Sequence, residues 1–229
     1  LSNRLVIAID GPAGAGKSTV ARKVAEALDY LYIDTGAMYR ALTLAVLRAG
    51  APVDDPGAVS AVVEQCIVHL EQGTNGCRVF LNGEEVTDDI RSLAVSNAVS
   101  KVAAIPDVRR HLIGLQRELA RGRGVVMDGR DIGTVVLPDA DLKLFLTASI
   151  EERARRRFAE ASARGDGADL EAVRRNLEER DRIDSGRTVS PLRVADDAIV
   201  IDTTDLTLEQ VVQHVLLLCR RRLQECCTE

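Results

Sequence analysis

The sequence predicts an α/β fold: a three-layer sandwich in which a central five-stranded parallel sheet carries helices on both faces. Three observations lead there. Short apolar runs at 5–9, 30–34, 124–128, 141–146 and 198–201 are separated by segments with helical apolar spacing, the pattern of parallel strands joined by crossover helices. The first run, Leu5-Val6-Ile7-Ala8-Ile9, is apolar at every position, as a strand buried on both faces should be. It leads into Gly11-Pro12-Ala13-Gly14-Ala15-Gly16-Lys17-Ser18-Thr19, which fits G-x-x-x-x-G-K-[ST] and makes the expected fold a P-loop sandwich.

Glycines in that loop let successive N–H groups converge on one anion, and the helix that follows to Leu28 adds the positive end of its dipole. Lys17 is expected to reach the outer phosphates and the Ser18 hydroxyl to meet Mg²⁺, so the expected ligand is a nucleoside triphosphate. The second strand, 30–34, precedes a helix from Ala37 to about Ala49 that Gly50-Ala51-Pro52 stops. Residues 53–95 then change character. Segments 68–70 and 78–83 read as short strands, the second running into an Asn82-Gly83 turn, so the region is expected to be a small antiparallel insertion. Pro106 opens a helix of about 106–121, in the manner of a proline at the first helical position. Strands at 124–128, 141–146 and 198–201 follow, and Thr207 with Gln210 forms a capping box before a last helix near 208–223. Ligands of parallel sheets gather at the carboxyl ends of the strands. The phosphate loop, Asp34 and the Asp128–Asp131 segment all fall there.

Composition narrows the class. The 229 residues suit one substantial domain with excursions, and 46% hydrophobic residues with no Trp imply an aliphatic core. No apolar run approaches the roughly 20 residues that span a bilayer, and no basic-then-apolar leader opens the chain, so no membrane partner and a cytoplasmic location are expected. The absence of an initial Met suggests a trimmed or engineered start. Five Cys without metal spacing, two of them adjacent at Cys226-Cys227 in the tail, read as reduced thiols. His69, His111 and His214 are scattered without ligand spacing. A net charge of −5 and the lack of an aromatic-basic stripe argue against a nucleic-acid polymer as partner. Of the 30 basic residues only Lys17, Lys23, Lys101 and Lys143 are Lys, so position rather than residue type must identify functional arginines.

A phosphate loop does not by itself separate a motor, a switch and a kinase. No Asn-Lys-x-Asp segment exists to read guanine, as a signalling GTPase would carry. A kinase of small phosphorylated acceptors needs a second anion site and arginines to neutralise the transferred group. Arg40 lies one turn into the helix after Asp34, Arg130 lies in the glycine-containing segment after strand 124–128, and Arg109 shares a helix face with Leu112, Ile113 and Gln116. These three could converge on one phosphate. Arg180, Asp184 and Arg187 fall at i, i+4 and i+7, which fits either a ligand-facing stripe or an intrahelical ion pair. Arg153, Arg156 and Arg157 share a face in a segment, 151–193, with eleven Arg, no Lys and ten acids. Such a segment is either a solvated helical arm or a lid that carries Arg over the triphosphate. Besides a kinase of one acceptor, a kinase of another (UMP, AMP or shikimate) and a non-catalytic ATP-binding module stay open.

From Leu5 to about Leu223 the chain resembles bacterial cytidylate kinases, on Gly11–Thr19, Asp34–Arg40, Asp128–Pro138 and Glu179–Arg187 with Ser190-Pro191-Leu192. The stretch Ala98–Ala103 through Val108-Arg109 agrees as well. Ser18 stands where many members have Gly, and Thr35 where many have Ser. The resemblance implies transfer of a phosphoryl group from ATP to CMP or dCMP, with Mg²⁺, by a monomer. It implies a core of 1–34, 122–150 and 194–229, a monophosphate-binding region with insertion over 35–121, and an Arg-rich lid and base-binding arm over 151–193. It implies that Gly11 to Thr19 hold ATP and that Lys17, Arg130, Arg153 and Arg157 serve catalysis. Arg40, Arg109 and Arg130 would grip the CMP phosphate; Thr35, Asp131 and Arg187 would meet the ribose. Ser100, Arg109, Arg180 and Asp184 would read cytosine or help seat the nucleotide.

Overall fold

The computed structural model describes residues 4–73, 76–122, 124–163, 165 and 169–226. Its strands, in chain order, are β1 (Val6–Asp10), β2 (Leu31–Asp34), β3 (Val68–Gly73), β4 (Gly76–Leu81), β5 (Glu84–Glu85), β6 (Val125–Asp128), β7 (Leu142–Thr147) and β8 (Ile199–Asp202). The helices are α1 (Lys17–Leu28), α2 (Thr35–Arg48), α3 (Pro56–Val63), α4 (Leu93–Ala104), α5 (Pro106–Leu119), α6 (Ile150–Ala163), α7 (Leu170–Gly186) and α8 (Leu208–Cys226). Five strands form the expected parallel sheet in the order β2-β6-β1-β7-β8, with Ile7 opposite Val126 on one side and Leu142 on the other. β1 is central, and the connections from it and from β6 leave in opposite directions, so the crevice at its carboxyl end is a switch point.

Side chains alternate across the sheet with period two. Ala8, Ile33, Val125 and Met127 face a core closed by α2, α3, α4 and α5. Ile7, Ile9, Tyr32, Val126, Leu144 and Ile201 face a second core closed by α1 and α8. The runs of β1, β6 and β7 are therefore strands buried on both faces, whereas the edge strand β8 leaves Ile199 and Val200 exposed. At the start of α8, Thr207 and Gln210 bond reciprocally: the Thr207 amide donates to Gln210 Oε1 at 2.8 Å, and the Gln210 amide donates to Thr207 Oγ1 at 3.2 Å.

The insertion is richer than expected. Its antiparallel sheet, β3-β4-β5, spans 68–85, with Asn82 and Gly83 both at positive φ (52° and 85°) as a two-residue hairpin turn requires. Helix α3, not expected from the sequence, precedes it, with the Asp55 carboxylate accepting from Gly57 and Ala58 amides at 2.9 and 3.1 Å. Helix α4 was also not expected. Its Val, Ser and Asn are weak helix formers, and burial of Val95, Val99 and Val102 at helical spacing stabilises it instead. Helix α2 begins two residues earlier than expected because Asp34 caps it, accepting from the Ala37 amide at 2.8 Å. Residues Ile132–Val136 form a single π-helical turn. No helix among the described residues is long and apolar enough to cross a membrane. Cys66, Cys77 and Cys219 are free thiols, whereas Cys227 and the Cys226 side chain lie outside the described residues.

Candidate active site

The carboxyl ends of β1, β2 and β6 open into a cleft of about 1320 Å³ whose wall includes residues 13–19 of the phosphate loop. The loop's tight start explains Gly11: at φ +143°, a Cβ there would lie 1.9 Å from the Leu146 carbonyl oxygen of β7. Lys17, 5% exposed at the start of α1, donates from Nζ to the Pro12 carbonyl at 2.7 Å. Burial, with Arg130 nearby, holds its ammonium well below the ordinary lysine range, and an anion brought beside it would favour the charged form.

Carboxylates at the strand ends organise the floor. Asp128 accepts from the Ser18 and Tyr32 hydroxyls, each at 2.8 Å, and its carbonyl accepts from Thr35 Oγ1 at 2.7 Å. Burial, then repulsion from Asp34 on the adjacent strand, push the Asp128 carboxyl up to about 6. Asp10 ends β1 and accepts from the Ile132 and Gly133 amides at 2.8 and 2.7 Å, pinning the π-turn. Burial raises it to about 6 as well, despite those two amides.

Arginines from α2, α5, α7 and the segment after β6 line the same cleft as the loop. Arg109, 1% exposed, pairs with Asp131 and stacks its guanidinium carbon 5.4 Å from the Tyr39 ring centre. Arg40 reaches Asp34 at 3.2 Å, and Arg130 donates from Nε to Asp184 at 2.9 Å. Arg187 lies one residue past the end of α7, so it leaves the helical stripe of Arg180 and Asp184, yet it stands 3.8 Å from Asp131 and 3.9 Å from Asp184. Burial, reinforced by Arg130, lowers the Arg180 guanidinium to about 9. Burial would raise Asp184, but Arg130, Arg187 and Arg180 outweigh it and hold the carboxyl below its ordinary value. Nε of Arg40, Arg109 and Arg180 and Nη2 of Arg187 are buried donors without a hydrogen-bond partner among the described residues. The arrangement can therefore take an anion and a hydrogen-bonding ring between the arginines and Asp184.

Of the residues singled out from sequence, all line this cleft except Gly11, Pro12 and Arg153. The shared face of Arg153, Arg156 and Arg157 is split by their partners. Arg157 borders the cleft and pairs with Glu160 at 2.6 Å, while Arg156 donates to Glu152 and to Thr203 Oγ1 and carbonyl at 2.8, 3.0 and 2.7 Å. Arg153 instead lies behind the phosphate loop, 7% exposed, donating to the carbonyls of Ala13 and Ala148 and pairing with Asp181. Its placement in the catalytic lid is thus corrected: two carbonyls and one carboxylate hold it away from the cleft.

Residues 7–221 match the family model described as cytidylate kinase. The chain belongs to the cytidylate kinase family. A cytidylate kinase from Geobacillus sp. (strain WCH70) is 52% identical over 223 residues, covering 97% of this chain and all of that one. That of Caldanaerobacter subterraneus subsp. tengcongensis is 54% identical over 209 residues, 91% of this chain and 92% of its own. That of Mycolicibacterium paratuberculosis is 52% identical, covering 97% of this chain and 98% of its own. Among solved structures, a gluconokinase from Sinorhizobium meliloti 1021 superposes with a TM-score of 0.51 at 16% identity, covering 98% and 97% of the two chains. An uncharacterized protein from Eubacterium ventriosum gives 0.52 at 11% identity, covering 95% and 99%. Both show the fold alone.

In this cytidylate kinase family chain, sequence reasoning passed over Tyr32, Asp10 and Asp181. Tyr32 sits in an apolar strand, and nothing in its spacing tells that its hydroxyl meets Asp128 on the neighbouring strand. Asp10 had a visible signal: a carboxylate closing an otherwise apolar central strand needs buried partners.

Proposed function

We propose that this cleft transfers the γ-phosphoryl group of ATP to CMP and dCMP, the reaction of the family to which the chain belongs, with the donor on the phosphate loop and the acceptor on the arginine wall. The observation that carries the reading is that one cleft is lined by Lys17 together with Arg40, which pairs with Asp34, and with Arg109, Arg130, Arg180 and Arg187, which gather around Asp131 and Asp184. Arg40, Arg109 and Arg130 take the acceptor phosphate by charge-assisted hydrogen bonds. Asp184 accepts from the exocyclic amine of cytosine, Arg180 and Ser100 donate to the ring, and Thr35, Asp131 and Arg187 serve the ribose. The acceptor phosphate is ionised near neutral pH, so its oxygen attacks the γ-phosphorus in line without a protein base. Lys17, Arg130 and Arg157 neutralise charge on the transferred group, and the protein's contribution is positioning and electrostatics.

Mg²⁺ fits the donor side. Ser18 Oγ and the Asp128 carboxylate are adjacent hard oxygen donors on the cleft floor. Magnesium sites of this kind use one or two protein oxygens plus phosphates and water. Ser18 and Asp128 would hold the ion, which when bound neutralises the outer phosphates. One chain supplies both walls of the cleft, which supports a monomer as the working unit. Buried free thiols at Cys66 and Cys219 support a reducing, cytoplasmic setting.

An ADP-release assay with CMP, dCMP, UMP and AMP as acceptors tests the reading. Turnover with CMP and dCMP is expected; a strong preference for AMP would overturn it.

A further inference from the structure

One helix touches both substrate walls. α7 carries Leu177, Arg180, Asp181 and Asp184 at i, i+3, i+4 and i+7, a single helical stripe. At one end of the stripe, Leu177 packs with Ala13 of the phosphate loop and Ala154 of α6 in a small apolar cluster. Beside it, Asp181 Oδ2 lies 2.7 Å from Arg153 Nη1, and the same nitrogen donates to the Ala13 carbonyl at 3.2 Å. Arg153 Nε is anchored on the Ala148 carbonyl at 3.0 Å. The loop rests directly on this residue: a Cβ on Gly14, where φ is +79°, would stand 3.0 Å from Arg153 Cβ. At the other end, Asp184 accepts from Arg130 at 2.9 Å, and Arg180 borders the acceptor side of the cleft. Arg153 is 7% exposed, and the other carboxylate oxygen of Asp181 has no hydrogen-bond partner among the described residues. Among those residues the link through Arg153 is therefore Asp181's whole polar anchorage, and it leads to the donor loop.

We propose that Asp181 is a positioning residue that couples the two substrates: by holding Arg153 against the Ala13 carbonyl, it makes the phosphate loop and the acceptor-reading face of α7 move as one body. An acceptor seated on Arg180 and Asp184 then fixes the helix that props the loop, and the donor binds to a loop already in place. Coupling of this kind is reciprocal, so each substrate tightens the other by the same factor. The inference rests on the assignment of the acceptor to α7 made under the proposed function.

Calorimetric titration with the imido analogue of ATP and Mg²⁺, with and without saturating CMP, tests it. In the wild type CMP is expected to tighten analogue binding by about 5–150-fold. In Asp181→Asn that factor falls to within about two-fold of unity while CMP alone binds within about three-fold of wild type. Asp181→Glu, which keeps the charge, restores most of the factor, an outcome that a merely structural defect would not give. Arg153→Lys is the second variant: it keeps charge and stem but cannot span Asp181, Ala13 and Ala148 together, so it also loses coupling. An unchanged factor in Asp181→Asn or in Arg153→Lys, or a wild type that binds both ligands independently, overturns the proposal alone. A wild type that fails to bind CMP overturns the acceptor assignment, and the coupling with it.

Discussion

Asp128 is held between two hydroxyl donors, Ser18 and Tyr32, directly across the strand pairing from Asp34. Its folded-state pKa, raised to about 6 first by burial and then by Asp34, makes its charge a liability to the fold. The folded protein binds this proton more tightly than the unfolded chain does, so between about pH 4 and pH 6 stability contributed here falls as pH rises. Asp128→Asn is expected to remove that slope and to raise Tm at neutral pH, by about 2–4 °C for each kcal/mol of relieved repulsion. The same substitution lowers turnover, because Ser18 loses its carboxylate partner; calorimetric scans across pH, paired with assays, check both. Lys17→Ala is expected to lower kcat by about 10²- to 10³-fold or more, as removal of one preorganised charge stabiliser does, with circular dichroism unchanged. At the acceptor end, Asp184→Asn is expected to narrow the preference for CMP over UMP by about 10–100-fold, the discrimination carried by one good base contact. Paired kcat/KM values for the two acceptors measure it.

At the scale of elements, the chain separates glycines that the site requires from those it does not. Gly11→Ala would drive a methyl into the Leu146 carbonyl that flanks the phosphate loop, and a fall in Tm of about 5–10 °C with loss of ATP binding is expected. Gly114 is exposed in mid-α5, and a methyl group added there would meet nothing within 4 Å. Gly114→Ala is expected to stabilise by about 0.4–1 kcal/mol, seen as a small rise in Tm at unchanged activity. The same contrast explains which elements were legible beforehand. The central strands declared themselves because burial on both faces leaves an apolar run whatever the neighbours are, and the edge strand β8 carries an apolar run although three of its four residues are exposed. Helix α4 did not, because its Val, Ser and Asn interrupt its Ala, Leu and Lys, and its buried face is set by packing on α2, α5 and α7. Arg109 was legible from its helix, since Leu112 and Gln116 on its face are both fully buried. Arg153 was not, because three arginines within one turn and a half of α6 share a direction, while their separate partners are Ala13 and Thr203 on distant segments and Glu160 on α6 itself.

Over the whole molecule, a net charge of −5 surrounds a cleft lined by Lys17, Arg40, Arg109, Arg130, Arg180 and Arg187. Anionic substrates are therefore drawn inward by a local field against the overall charge. Raising salt screens that field over a few ångströms to a Debye length, so kcat/KM for CMP is expected to fall with ionic strength more steeply than kcat; steady-state kinetics from low to high salt check it. The sequence also lacks Trp and has only three tyrosines. Two of them belong to the site: Tyr32 donates to Asp128, Tyr39 lies under Arg109, and both border the cleft. The protein thus carries its own optical probe. Without Trp, the intrinsic fluorescence of the folded chain comes chiefly from tyrosine, and two of the three tyrosines border the cleft, so occupancy of the cleft is written into the intrinsic emission without any label.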